Sequence, residues 1–314
     1  MSNNLIVSSS CHIHKEDSVS KIMWAVVISL IPSAVAAVII FGLPALKTIL
    51  IAVAAALVTE AFIQKITKKK ISVSDGSAFL TGLLLAYNLP AQVPFWLPIV
   101  GSFFAIAIGK QVFGGLGQNI FNPALAGRAF LIASWPKYMT SFTAPLSCDA
   151  ITSATPLTLL KETKIIPDIT YLGLFLGKRG GCLGEVCILA LLIGAAFLFF
   201  KKYISWHIPV TFIGINGLFV YIFGPNGFFT GDWVFHTLSG GIILGAFFMA
   251  TDYVTSPLTR KGQIIFGLGC GVITAVIRLW GGYPEGVSYA ILMMNGATPI
   301  IDRYTKSRVY GKFA

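Results

Sequence analysis

Ten apolar runs separated by short polar intervals dominate this chain and decide its solvent. They fall at 22–41, 46–64, 77–90, 95–112, 120–135, 185–200, 207–224, 233–250, 262–281 and 286–301. A bilayer crossing needs roughly 20 apolar residues, or fewer where flanking groups reach the interface. Charged residues make up only 11% of the 314 residues, against about 25% in a soluble domain, and the mean hydropathy is +0.80. Hydrocarbon offers backbone amides no water, so runs of this length must be helical. The reading is an all-α polytopic membrane protein with about ten transmembrane segments. The third and fifth runs are short. Asn88-Leu89-Pro90 closes one, and Asn119, Asn122 and Pro123 break into the other. Broken helices persist at membrane depth only where protein or a water-filled cavity satisfies the freed backbone groups.

The net charge of +11 does not point to nucleic acid, because no basic run is interleaved with aromatic residues. Lys and Arg gather in cytoplasmic loops of membrane proteins, and the bias here is consistent. With the N-terminus inside, the inner loops collect Lys15, Lys21, Lys65, Lys68, Lys69, Lys70, Lys110, Lys201, Lys202, Arg260 and Lys261. The tail adds Arg303, Lys306, Arg308 and Lys312. This divides the chain into a cytoplasmic N-terminus (1–21), a first membrane half (22–135) and an extracytoplasmic loop (136–184). A second membrane half (185–301) and a cytoplasmic tail (302–314) follow. The halves echo each other. Ser77-Ala78-Phe79-Leu80-Thr81-Gly82 is answered by Leu238-Ser239-Gly240-Gly241-Ile242, and Lys110…Gly114-Gly115 by Arg278…Gly281-Gly282. Five runs per half make the expected arrangement two inverted five-segment repeats.

The 136–184 loop carries Asp149-Ala150-Ile151-Thr152-Ser153-Ala154-Thr155-Pro156-Leu157. Read by itself, this is a solvated loop ending in a helix cap, since Ser and Thr ahead of Leu157-Thr158-Leu159-Leu160 suit one. Pro156 holds Thr155 extended, and the small residues before it leave room for a bulky group. No His or Lys base is adjacent, so the hydroxyl is not an evident catalytic nucleophile.

Asp149, Thr152, Ser153, Ala154 and Thr155 resemble the acceptor motif of flavin transferases, Asp-x-x-(Ser/Thr)-(Gly/Ser)-Ala-Thr. The whole chain resembles the NqrB/RnfD family, and within it RnfD, the membrane subunit of the Rnf ion-translocating electron-transport complex. The residues that carry this are Phe113-Gly114-Gly115-Leu116-Gly117-Gln118-Asn119-Ile120-Phe121-Asn122-Pro123-Ala124 with Gly127-Arg128-Ala129-Phe130. Gly181-Cys182-Leu183-Gly184-Glu185, Trp206-His207-Ile208-Pro209-Val210 and Met249-Ala250-Thr251-Asp252-Tyr253-Val254-Thr255-Ser256-Pro257 add to it. The resemblance implies FMN joined to Thr155 by a phosphoester, with Asp149, Thr152 and Ser153 read by the transferase, and leaves a second, non-covalent flavin open. It implies electron flow between ferredoxin and NAD(H) coupled to Na⁺ or H⁺ movement, partner subunits with iron–sulfur and flavin centres, and a bacterial inner membrane. The B subunit of the Na⁺-translocating NADH:quinone reductase resembles the same family. Only about 21 residues precede the first run here, where that subunit carries a longer extension. A small-solute channel or transporter would suit the repeats, and a cofactor-free scaffold is a further class, but neither needs an FMN acceptor.

Ionisable groups at membrane depth usually face an interior site. The candidates are Glu60, Lys110, Arg128, Glu185, His236 and Asp252. Arg128 could hold a flavin phosphate or bind the carbonyls of a broken helix. Glu185 is expected to neighbour the flavin or to stabilise a helix N-terminus. Asp252 with Thr255 reads as turn chemistry or an ion site. His236 reads as a satisfied interior histidine, and Lys110 and Arg278 as side chains that snorkel from segment ends. Cys11, Cys148, Cys182, Cys187 and Cys270 are spaced as packing residues, with no set for a metal or an iron–sulfur cluster. No dinucleotide fingerprint follows a strand and no P-loop is present, so electron donor and acceptor belong on partner subunits.

Overall fold

The computed structural model describes residues 18–69, 71–143, 145, 152–163, 169–177, 179–224 and 227–306. Asp149, Cys11, Cys148 and most of both terminal segments lie outside the described residues. Helix occupies each of the ten apolar runs. The first half holds α1 (Val19–Phe41), α2 (Leu43–Ile66), α3 (Ser77–Tyr87), α4 (Trp96–Ile106, continued by a π turn over Ala107–Gln111) and α5 (Pro123–Ser134). The loop region holds α6 (Pro136–Met139), α7 (Pro156–Thr163) and α8 (Tyr171–Leu176). The second half holds α9 (Ile188–Phe200), α10 (His207–Ile222), α11 (Trp233–Leu238), α12 (Ile242–Leu244, continued by a π turn over Gly245–Met249), α13 (Arg260–Leu279) and α14 (Val287–Tyr304). Two short antiparallel pairs complete the described structure: β1 (Phe142–Thr143) with β2 (Thr152–Ser153), and β3 (Phe223–Gly224) with β4 (Gly227–Phe228). By length and composition, α1, α2 and α13 can cross a membrane, and the other apolar helices are shorter.

The helix ends follow local chemistry. Ser18 caps α1, its Oγ accepting from the Lys21 amide at 3.2 Å. The turn into α2 falls on Gly42 at φ +71°, a conformation that costs glycine nothing. Asn88 ends α3 and donates its Nδ2 back to the Leu84 carbonyl at 2.6 Å. The fifth run differs from the expectation of a broken helix. The Asn122 carboxamide accepts from the Ala124 and Leu125 amides at 3.1 and 3.4 Å, and Pro123 opens α5. Asn119 and Asn122 therefore precede this helix instead of interrupting it, because an Asn-Pro pair is a strong start signal. The interruption the sequence hid is in the eighth run. There α11 stops, Ser239-Gly240-Gly241 crosses with Gly240 at φ +71°, and α12 begins.

Small residues set the packing, as they do where helices cannot rely on a hydrophobic drive to associate. A Cβ on Gly82 of α3 would stand 2.8 Å from the Val53 Cα of α2. One on Gly127 of α5 would stand 2.9 Å from the Gly101 carbonyl of α4, and one on Gly271 of α13 would stand 2.9 Å from the Phe212 carbonyl of α10. Helix α2 packs on α4 and α4 on α5; in the second half, α10 packs on α13 and α13 on α14. Helix α1 packs against α9 across the halves, with the Tyr87 hydroxyl donating to the Leu30 carbonyl at 2.6 Å beside that contact. The main core is built from both halves.

Candidate functional site

Thr155 stands directly ahead of α7 and caps it. Its Oγ1 accepts from the Thr158 amide at 3.2 Å and lies 2.8 Å from the Thr158 hydroxyl. Thr155 is half-buried and lines a cavity of about 570 Å³, within the usual size range of small-molecule sites. The helix-cap reading and the attachment reading thus meet on one atom. The backbone of Thr152 and Ser153 forms β2, paired with Thr143 and Phe142.

The cavity wall is charged. Arg128 on α5 donates to the Asn88 side-chain oxygen at 2.6 Å and to the Glu285 carboxylate at 3.0 Å. It binds no backbone carbonyl of a broken helix among the described residues, so that alternative is set aside. Arg179, in the loop before α9, donates to the Leu238 carbonyl at 2.5 Å and to the Glu185 carbonyl. Arg278, near the end of α13, donates to the His236 and Ser239 carbonyls, the latter at 3.0 Å. These two guanidinium groups satisfy the carbonyls freed where α11 stops, at the negative end of its dipole. On the other side of the same break the Gly241 amide donates to Glu285 at 2.5 Å. The break thus has cations at its carbonyl end and a carboxylate at its amide end. Glycine is required at Gly240, where φ is +71° and a Cβ would overlap Glu285, and at Gly241 a Cβ would crowd a Glu185 carboxyl oxygen at 3.1 Å.

Glu185 precedes α9 in a connecting loop and does not cap that helix. Its carboxyl accepts from the Cys182 amide at 2.7 Å, and both it and the Glu285 carboxyl stand against Gly241. Burial, and then Glu285 beside it, push the Glu185 pKa above the ordinary carboxylate range. Glu285 lies in the α13–α14 loop. Burial opposes its charge, but Arg128 and Arg278 outweigh this and hold it below the ordinary carboxylate range. Tyr283 and Tyr289, with ring centroids 5.4 Å apart, add an aromatic face to the cavity. Lys161 of α7 docks this loop on α13, donating to the carbonyls of Ile277, Gly281 and Tyr283, the last at 2.7 Å.

Other sequence candidates lie elsewhere. Lys110 does not snorkel. It is 2% exposed, its ammonium 2.7 Å from Glu60 and 2.6 Å from the Ser77 hydroxyl. Arg278 is likewise buried, because its carbonyl partners are internal. His236 is buried but its Nδ1 has no partner, so it is not the satisfied histidine expected. Asp252 does turn chemistry, accepting from the Val254 amide and the Thr255 hydroxyl at 3.4 and 3.2 Å. Cys182 and Cys270 are buried and free. The sequence reading missed Arg179 and Glu285. The available signal was the Gly240-Gly241 pair, which admits carboxylates to the backbone.

Fold and site together define a polytopic helical membrane protein with a polar, ion-paired cavity where a helix is broken. The chain belongs to the NQR2, RnfD, RnfE family, whose model matches residues 6–311. It is 54% identical over 312 residues to the D subunit of the Na⁺-translocating ferredoxin:NAD⁺ oxidoreductase complex of Acetobacterium woodii, covering 98% of this chain and 96% of that one. It is 51% identical over 320 residues to the D subunit of the proton-translocating ferredoxin:NAD⁺ oxidoreductase complex of Clostridium ljungdahlii, covering 98% and 97%. The D subunit of an ion-translocating oxidoreductase complex of Salmonella newport is 37% identical over 346 residues, covering 97% and 98%.

Proposed function

We propose that this chain is the D subunit of an Rnf-type ferredoxin:NAD⁺ oxidoreductase complex that moves ions, and that it holds FMN through a phosphodiester on Thr155. The names of relatives at 54% and 51% identity support the complex. The observation that carries the attachment is the charge of the cavity around Thr155. Three guanidinium groups, Arg128, Arg179 and Arg278, face two carboxyl groups, Glu185 and Glu285. The buried groups there keep net positive charge whatever the protonation of those two carboxyls, since Glu162 on the same cavity wall is exposed to solvent, and uncompensated buried charge is costly. A phosphodiester monoanion supplies the missing negative charge. Its place on the Thr155 oxygen is the N-terminus of α7, where amides and the helix dipole favour phosphate. The Nε atoms of Arg128, Arg179 and Arg278 are buried without partners, as donors awaiting a ligand would be. Arg128 and Arg179 line the cavity itself and are the residues that would hold the phosphoryl group, with Tyr283 and Tyr289 flanking the ring.

Bound FMN supplies one-electron relay chemistry, and the protein supplies position and electrostatics. In this reading the chain crosses the bacterial inner membrane about ten times as two inverted halves, with both termini in the cytoplasm and Thr155 outside. The recurrence of the α2–α4–α5 packing in α10–α13–α14 supports the repeat. Iron–sulfur and flavin subunits supply and remove electrons, and a flavin transferase matures the site.

The test is in-gel flavin fluorescence after denaturation of the full-length chain co-expressed with a flavin transferase. The parent is expected to fluoresce and Thr155→Ala to be dark. A fluorescent Thr155→Ala, or a dark parent, overturns the attachment.

A further inference from the structure

The FMN reading leaves one part of the cavity unused. Two carboxyl groups lie side by side in a wall that a single carboxylate could complete. We infer that Glu185 and Glu285 form a one-proton site that opens to the outer cavity and loads and unloads in step with the electron on the neighbouring flavin. The inference rests on the proposed attachment at Thr155.

The geometry gives three reasons. First, the two carboxyl groups converge on one residue, Gly241. Gly241 donates to Glu285, and Glu185 lies against the same residue. Neighbouring carboxyls in a buried site hold one proton between them more readily than two separate carboxylates hold any. Second, the pair lines the cavity that Thr155 lines, so proton exchange with outer water and the attached group share one space. Third, the charges sum correctly in both states. With a phosphodiester in place, the three buried guanidiniums meet the two inner carboxylates and one phosphoryl charge and are balanced, while the exposed Glu162 is left to solvent. One added electron leaves a single negative charge in a space of low dielectric. One proton taken from outer water onto the pair restores neutrality, and oxidation returns that proton.

The groups around the pair are Arg128 from α5, Arg179 and Cys182 from the loop before α9 and Arg278 from α13, with Tyr283, Tyr289 and the exposed Glu162 across the cavity. The guanidiniums stay charged throughout. Cys182 is buried, and its thiol is pushed up by that burial, so it does not compete for the proton. The Glu185–Glu285 pair is left as the group that takes up the proton.

The experiment is a spectroelectrochemical titration of the covalent flavin on the full-length chain, repeated at several pH values around neutrality. In the parent, each pH unit is expected to change the one-electron reduction equilibrium tenfold, which is 59 mV. In Glu185→Gln the potential is expected to be flat. A redox-difference infrared spectrum of the parent needs no variant. A protonated-carboxyl carbonyl band, shifted in D₂O, should appear on reduction. A flat parent titration, a slope retained in Glu185→Gln, or no carboxyl band overturns the proton site while leaving the attachment standing. A chain with no covalent flavin overturns both.

Discussion

Lys110 and Arg278 occupy matching places at the end of the fourth apolar run of each half, yet they sit in opposite kinds of surroundings. Lys110 meets Glu60 at 2.7 Å, and the side chains of Gln111 and Gln64 converge on the same carboxylate oxygen at 2.8 and 3.2 Å. One cation meets one anion, and the cluster is neutral. Arg278 has no such exclusive partner. It bonds carbonyls at a helix break, beside the cavity that Arg128, Arg179, Glu185 and Glu285 line, in a group of buried charges with more guanidiniums than carboxyls. A charge-balanced cluster joins α2, α3 and α4, although the Glu60 Oε2 is left without a partner. An open, unbalanced one invites a ligand. Burial of a cation therefore does not by itself mark a site. What distinguishes the two is whether the neighbours already complete its charge.

Breaking the balanced cluster should have the largest effect on stability. Lys110→Met leaves Glu60 buried without its cation, at a cost of about 3–5 kcal/mol. The double variant Glu60→Gln with Lys110→Met removes both charges and should recover most of that loss. Unfolding titrations in mixed micelles measure both. If the double variant is as unstable as the single one, the cluster's role is not charge balance. Flavin fluorescence of whatever folds should match the parent, because the cluster lies at the opposite end of the helices from Thr155.

Arg128→Met tests the unbalanced cluster. It removes the bonds to Asn88 and Glu285, worth about 1.5–3 kcal/mol for charged hydrogen bonds. Unlike Lys110→Met, it should also reduce covalent flavin per folded chain several-fold. Arg128→Lys should recover only part of the loading, because an ammonium lacks the guanidinium fork. Equal loading in Arg128→Met and the parent would place the phosphoryl group away from Arg128.

The two clusters were not equally legible in the sequence. Helix positions were readable because apolar length and Asn-Pro or Ser caps are local signals, and the Thr155 cap was readable because a hydroxyl ahead of Leu157-Thr158-Leu159-Leu160 is one too. Lys110 and Arg278 were misjudged for one reason. A basic residue near the end of an apolar run looks the same whether it reaches the interface or turns inward. The choice depends on Glu60, fifty positions away in sequence, or on carbonyls freed by a break in another helix. Glu285 was missed because nothing in Gly281-Gly282-Tyr283-Pro284-Glu285-Gly286 says that the loop folds back onto Gly241. The break at Ser239-Gly240-Gly241 was visible only as a small-residue run of the kind that also packs unbroken helices.

The smallest expected effect lies at the rim of the Thr155 end. The Tyr171 hydroxyl of α8 donates to Asp232 at 2.6 Å, and Asp232 also caps α11 by accepting from the Phe235 amide at 2.9 Å. This bond, together with the Asp232 charge, raises the Tyr171 pKa above its ordinary value. A group whose folded-state pKa is raised contributes stability that is fully present below its unfolded value. That stability is lost as pH climbs through the folded one. The α8–α11 contact should therefore be indifferent to pH up to about 10 and weaken above it. Hydrogen exchange at the α8 amides should accelerate in that alkaline window in the parent. In Tyr171→Phe, exchange should already be at the faster level near neutrality, with no further step tied to this residue. An alkaline step of equal size in Tyr171→Phe would assign it to another group. Because Tyr171 is exposed and outside the charged wall, neither version should change flavin loading, which separates the rim from the cavity it borders.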